Sequence, residues 1–225
     1  QFVSGSKDHN VRLRELAQKQ GLSLSERAIQ KSDGSELLFA DEAGVYAALG
    51  LPYIPPELRE DRGEIQAAQA GRLPRLVERG DIRADFHCHS TFSDGSASIE
   101  EMARAALKRG LKVLAITDHS AGLAVAGGLS VERLAEQRAE IERVQALLGG
   151  QILLLQGSEV EILSDGSLGY PDEVLAQLDL VIASLHFSLR QPREVITARL
   201  IGAMRNPHVD IIGHPSGRLL PEREG

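Results

Sequence analysis

The 225-residue sequence predicts an α/β protein in two parts, a small α+β unit followed by a larger unit with a mostly parallel sheet. Three observations carry this. Short apolar runs at 83–86, 113–116, 152–155, 178–183 and 209–212 alternate with amphipathic helical stretches, which is the pattern of β/α units. The runs end in histidines or carboxylates, which a barrel would gather at the mouth formed by its C-terminal strand ends. Residues 1–60 read instead as helix, short strands and helix, and a charged stretch at 61–82 follows, broken by Gly63, Gly71, Pro74 and Gly80.

Composition narrows the class. Hydrophobic residues make up 42% of the chain, enough for a packed core in each part. No apolar run approaches the roughly 18 residues needed to cross a bilayer, and no secretory segment opens the chain, so no membrane partner is expected. The single cysteine, Cys88, excludes an internal disulfide framework and suits a reducing cytoplasm. A net charge of −7 is not the footprint of a general nucleic-acid binder. It is compatible with a site where carboxylates hold metal against a phosphate. Arginine outnumbers lysine 20 to 5, which suits forked phosphate recognition or simply reflects compositional bias. The chain begins at Gln1, and the expectation is a piece of a longer molecule.

Taken in order, residues 1–6 read as a strand tail ending in a Gly-Ser turn. A helix runs from Lys7, with Val11, Leu13, Leu16 and Ala17 apolar and Gly21 ending it. Leu22 to Ile29 alternates as a strand, Ser32-Asp33-Gly34 turns, and Leu37 to Ala40 follows as a second apolar run. Asp41 caps a second helix ended by Gly50. The prolines at 52, 55 and 56 exclude helix there, and one helix fits between Glu64 and Ala70 within the expected linker.

The segments GSKDHNVRLRELA at 5–17 and LGLPYIPPELRE at 49–60 resemble the thumb subdomain of bacterial and archaeal family X DNA polymerases. The resemblance implies DNA contact. Asn10 matches a residue touching the minor-groove edge of the incoming base, and Arg14 one facing the template strand. An amide and a guanidinium can both donate to the minor-groove acceptors that all correct pairs share. The family's catalytic aspartates, which take Mg or Mn, would lie upstream and are not in this sequence, so deoxynucleotides would be partners of the parent polymerase only.

From Arg83 the chain reads RADFHCHSTFSDG, a short strand entering a polar turn. Alternate strand side chains share a face, so His87 and His89 point together and Cys88 points into the core. Ser98 and Glu101 form a capping box for a helix whose face is Ile99, Met102, Ala106 and Leu107, closed by Gly110. A second strand ends in Asp118 and His119. A long helix spans Ser130 to Leu148, with Leu134, Ile141, Val144 and Leu148 inward. The third strand ends in Glu159, the fourth in His186, and the fifth, after a helix near Glu194 to Met204, in His214. Five of the seven histidines thus sit at strand ends, with His9 and His208 the exceptions. Asp118 can orient a neighbouring imidazole without binding metal, Glu161 can stand in for Glu159, and the loop at 121–129 is a lid or a plain connection.

His-x-His, a following Asp, Asp-His, Glu, His and His, in that order over 83–225, resemble the PHP (polymerase and histidinol phosphatase) family. The resemblance implies a distorted (β/α)7 barrel hydrolysing phosphoesters with up to three divalent ions, Mn or Zn. His87, His89 and Glu159 would hold the first. Glu159 would bridge to a second held by His186 and His214, and Asp94 with His119 would begin a third site. Asp118 and Arg218, in GHPSGR at 213–218, are the candidate catalytic residues; Arg218 would grip a phosphate or strand, or else is a surface arginine. Two departures stand out. The family's late Asp-x-His pair is absent, and five β/α units are legible instead of seven, so an incomplete barrel is expected. Thumb, linker and PHP domain in this order imply a repair polymerase filling DNA gaps, with a Mn-dependent 3′-5′ exonuclease acting on gapped or 3′-recessed DNA. A stand-alone phosphatase for a small phosphomonoester, or a PHP module without catalysis, is the rival expectation.

Overall fold

The computed structural model describes residues 4–218 and divides into two compact units, one up to Leu76 and one from Val77. In the first unit, helix α1 (Lys7–Lys19) is capped by Ser6, whose hydroxyl accepts the His9 backbone N–H. Strands β1 (Leu22–Leu24), β2 (Ile29–Lys31) and β3 (Glu36–Leu37) form an antiparallel sheet in that order. The single strand expected at 22–29 is therefore two strands. Ser25 makes the break, because its hydroxyl accepts the Arg27 and Ala28 backbone N–H groups and turns the chain. Helix α2 (Glu42–Ala48) starts at Asp41, as its cap position predicts.

Helix α3 (Glu64–Gln69) lies inside the stretch that reads as linker, yet it buries Ile65 and Ala68 in this unit's core with Leu13, Ile29, Tyr46 and Ile54. Its apolar residues are few, so their burial was not legible from composition. The proline-rich 49–60 motif centres on Arg59. That side chain is fully buried, lies over the Tyr46 and Tyr53 rings, and forks onto Glu42 at 2.9 and 3.0 Å. It also reaches Ser4. Gly5 lies at φ +104°, where a Cβ would come 2.5 Å from that of Arg59, so the buried arginine requires a glycine there. Residues 1–3, expected as the strand tail, lie outside the described residues.

The second unit is a curled, five-stranded parallel sheet: β4 (Ala84–Asp85), β5 (Val113–Ile116), β6 (Leu153–Glu161), β7 (Leu180–Ser184) and β8 (Ile211–Ile212), adjacent in chain order. Helices α4 (Ile99–Lys108), α5 (Val131–Leu147), α6 (Asp172–Leu175) and α7 (Arg193–Arg205) supply the crossovers. All five expected strands are present, with β6 extended by six residues past its apolar run. Only the four-residue α6 had no sequence signal. The first half of β6 pairs with β5, from Val113↔Leu153 to Ile116↔Gln156. Its second half pairs with β7, from Gly157↔Leu180 to Glu161↔Ser184. This stagger tilts and curls the sheet as closing barrels require. Gly157 sits at the changeover, where a Cβ would come within 2.7 Å of the Leu180 carbonyl.

Ile99, Ala103 and Ala106 of α4 and Ile141 and Val144 of α5 pack on Leu114, Ile116 and Leu154 of the sheet. This fixes one face of β5 against helices and turns the other inward. Among the described residues no helix is long and apolar enough to cross a membrane.

Candidate metal centre

Glu159 sits on the inner face of β6, only 2% exposed at its side chain. Five imidazoles surround it, delivered by the C-terminal ends of four strands or the loops beyond them, with His87 and His89 both following β4. His87 Nε2 lies 3.3 Å from Glu159 Oε1, and His89 Nε2 3.5 Å from Oε2. His119 Nδ1 lies 3.1 Å from Oε2, and His186 Nε2 3.4 Å from Oε1. His214 Nε2 is hydrogen-bonded to Oε1 at 2.8 Å. Asp94 joins from the side, 3.6 Å from His89 Nδ1 and 3.5 Å from His119 Nε2.

Local chemistry explains how these side chains arrive. β4 stops at Asp85, yet His87 and His89 still face Glu159 while Cys88 packs on the core. Thr117 continues the ladder in place of a strand. Its hydroxyl accepts the Cys88 N–H at 2.9 Å, and its own N–H donates to the Cys88 carbonyl at 2.9 Å. Burial pushes the Cys88 thiol up to about 12, so it is an inert core residue. Beyond His89 the chain turns so tightly that a Cβ on Gly95 would lie 2.1 Å from the His89 carbonyl oxygen. That turn returns Asp94 to the cluster.

Asp118 is brought close but does a different job from orienting an imidazole. It is buried and accepts the Ser90 N–H at 2.7 Å, the Ser90 hydroxyl at 2.6 Å, the Ser93 hydroxyl at 2.5 Å and the Gln137 amide at 2.6 Å. It therefore anchors the loop that carries His89 and Asp94 to α5. Gln137 is a residue of the site that strand-end motifs do not reveal. Its signal is its place on the inward stripe Leu134, Gln137, Ile141, Val144, where a polar residue needs a buried partner. Glu161 does not substitute for Glu159. It accepts both the backbone N–H of His186 at 2.8 Å and a hydrogen bond from His186 Nδ1 at 2.6 Å. The connection at 121–129 is pinned at its far end, where Leu129 donates to the His119 carbonyl.

Three groups of donors lie close enough to share an ion: His87, His89 and Glu159; His89, Asp94 and His119; and His119, Glu159 and His186. The first matches the expected first set, and the second holds the expected Asp94–His119 pair. The third differs, because His119 takes the place expected for His214. Arg218 is exposed, and its backbone N–H donates to Ser216 Oγ at 3.4 Å. In the first unit Asn10 is buried with its amide donating to the Ser6 carbonyl, and Arg14 is half-buried one turn along the same face of α1.

The electrostatics suit a cation. Burial alone would raise the Glu159 carboxyl, but hydrogen bonds from His186 and His87 outweigh it and hold the group far below the usual range, as a carboxylate. Burial and the neighbouring His89 lower His119, which keeps a neutral imidazole able to donate a lone pair. Hydrogen bonds to Glu159 and then Glu161 raise His186 to about 9. His89 Nδ1 and His119 Nδ1 are buried without a hydrogen-bond partner, an arrangement that costs about 1–3 kcal/mol for each group. Nitrogen and carboxylate donors with unspent lone pairs fit a divalent transition-metal ion.

Residues 85–216 match the family model for the PHP domain, and residues 1–60 match that for the DNA polymerase beta thumb. Over 223 residues the chain is 47% identical to the DNA polymerase/3'-5' exonuclease PolX of Bacillus subtilis (strain 168), covering 99% of this chain and 39% of that protein. A protein named "probable phosphatase" from Caldanaerobacter subterraneus subsp. tengcongensis is 36% identical over 143 residues, 61% of this chain and 53% of its own. The chain thus spans about two fifths to about half the length of these relatives. A solved histidinol phosphate phosphatase from Lactococcus lactis subsp. lactis, in complex with zinc, L-histidinol and phosphate, superposes with a TM-score of 0.45 at 22% identity, covering 60% of this chain and 58% of that one. With more than half its length matched by the PHP family model, the chain belongs to the PHP domain family, and a DNA polymerase beta thumb precedes the domain.

Proposed function

We propose that this chain is the thumb and PHP portion of a family X DNA repair polymerase, and that its PHP site trims DNA 3′ ends as a Mn-dependent 3′-5′ exonuclease. The observation that carries the reading is the convergence of five imidazoles on the buried carboxylate of Glu159. The activity named for the Bacillus subtilis relative supports it.

His87, His89 and Glu159 would hold one ion, Glu159 with His186 and His214 a second, and Asp94 with His119 a third, Mn or Zn in each case. Bound there, such ions supply Lewis acidity toward a phosphoester and ease the deprotonation of water. The chain's own residues do the rest. Glu159, always ionised, keeps the cluster together from its centre. Asp118 holds the 90–94 loop still, so that His89 and Asp94 keep their places. Arg218 offers an exposed fork for a phosphate or the strand beyond it. Asn10 and Arg14 are the candidate contacts to the incoming nucleotide and the template, in a parent polymerase that takes Mg or Mn at aspartates outside this sequence. Gapped or 3′-recessed DNA is the partner, and a cytoplasmic location suits it.

A second reading has one observation in its favour: a relative named a probable phosphatase matches 61% of this chain at 36% identity. That reading is a phosphatase of small phosphomonoesters. The deciding experiment measures metal content, then Mn-dependent degradation of a 3′-recessed duplex by the chain and by His87→Ala. Bound metal, and nuclease activity that falls at least about 100-fold in the variant, is the expected result. Phosphatase without nuclease activity favours the second reading, and absence of bound metal refutes both.

A further inference from the structure

We propose that Glu161 is a positioning residue that orients His186 for metal binding through Nε2; this rests on the metal-centre reading above. Glu159 and Glu161 are two apart on β6 and so share its inner face. Their surroundings divide the work between them. Glu159 lies within reach of five imidazoles, whereas both oxygens of Glu161 are spent on one residue. Oε1 accepts the backbone N–H of His186 at 2.8 Å, and Oε2 lies 2.6 Å from its Nδ1. An ionised carboxylate only accepts, so Nδ1 carries the proton and the lone pair of the neutral ring is left on Nε2. That nitrogen faces Glu159 Oε1 at 3.4 Å.

The clamp is built into the fold. Glu161 is 1% exposed, and its backbone N–H donates to Ser120 Oγ while its carbonyl accepts from Gly169. A Cβ on Gly122 would lie 3.1 Å from that of Glu161, and one on Gly169 3.6 Å, so two glycines leave room for this side chain. The ring nitrogens of His87, His89, His119 and His214 meet only Glu159 and Asp94 among the described carboxylates, both inside the cluster. His186 alone has a carboxylate behind it. The ring is therefore fixed in rotation before an ion arrives and, once an ion replaces the Nε2 proton, in tautomer as well, the role that carboxylates behind ligating histidines commonly play.

The test compares the 225-residue chain with Glu161→Gln, which keeps shape and removes charge. Zinc is titrated against a chromogenic chelator, and the imidazole nitrogens of the zinc-loaded protein are read by 15N NMR. The expected result is an unchanged number of bound ions, with one held about 10- to 100-fold more weakly in the variant. The wild-type His186 ring should be protonated on Nδ1 and ligated through Nε2. Equal affinity in the two proteins overturns the proposal while leaving the metal centre standing. Loss of a whole ion in the variant overturns it too, since Glu161 would then be a ligand itself. If the variant does not fold, the wild-type spectrum decides, because ligation of His186 through Nδ1 refutes the clamp. A wild-type chain that binds no zinc removes the metal-centre reading and this inference together.

Discussion

Glu159 and Asp118 are both buried carboxylates, and their partners give them opposite jobs. Imidazoles around Glu159 have a ring nitrogen that can release a hydrogen bond and meet an ion instead. The groups around Asp118 are two serines, a backbone N–H and a glutamine, none of which suits a transition metal. Asp118 is therefore a fastener. Replacing it with alanine strands four donors in a dry site, and each lost hydrogen bond to a charged group is worth about 1.5–3 kcal/mol. The expected outcome for Asp118→Ala is a stability loss of at least about 3 kcal/mol by chemical denaturation. Asp118→Asn, which keeps an acceptor oxygen, should lose less. A variant as stable as the wild type would show that the loop at 90–94 is held some other way.

At the scale of elements, the site depends on where strands stop. β4 ends before its histidines, and the link between Thr117 and Cys88 carries the alternation on through His89. The next turn exists only because residue 95 has no side chain. With a Cβ 2.1 Å from a backbone oxygen, Gly95→Ala forces the turn open and withdraws Asp94. The obstruction is the backbone of His89 and Ser90, which cannot swing aside. The variant should keep its helices by circular dichroism yet lose at least about tenfold in affinity for the ion nearest Asp94. Unchanged zinc or manganese binding would mean that Asp94 is not a ligand.

Across the whole molecule, the two units hold together by different means. The second rests on apolar burial between helices and sheet, and the first adds a buried arginine fork. Hydrogen bonds from Arg59 hold the Glu42 carboxyl below its ordinary value of 4.5. The unfolded chain takes up this proton more readily than the folded one. Stability from the pair is complete above that ordinary value and is lost as pH falls through the depressed one. Thermal denaturation across a pH series should show the first unit weakening below about pH 4.5. Glu42→Gln should be weaker at neutral pH and flatter on the acid side. An acid limb as steep in Glu42→Gln as in the wild type would place the sensitivity elsewhere.

The sequence by itself determined the class of fold, the five strand positions of the second unit and the candidate ligand residues at their ends. Those signals are local: apolar runs, caps, and histidines placed one residue apart or directly after a strand. Gln137 was legible in principle as a polar residue on an apolar stripe. Three things were decided only in three dimensions. Whether Glu159 or Glu161 takes the centre depends on which strand end faces it, since the two share a face and a residue type. His119 comes within sharing distance of Glu159 and His186 because β5 is bonded to β6 through the His119–Glu159 bridge. And α3, with two buried apolar side chains, belongs to a core because α1 and α2 leave a place for it. Each of these is a contact between residues far apart in the chain, and periodicity reports only on near neighbours.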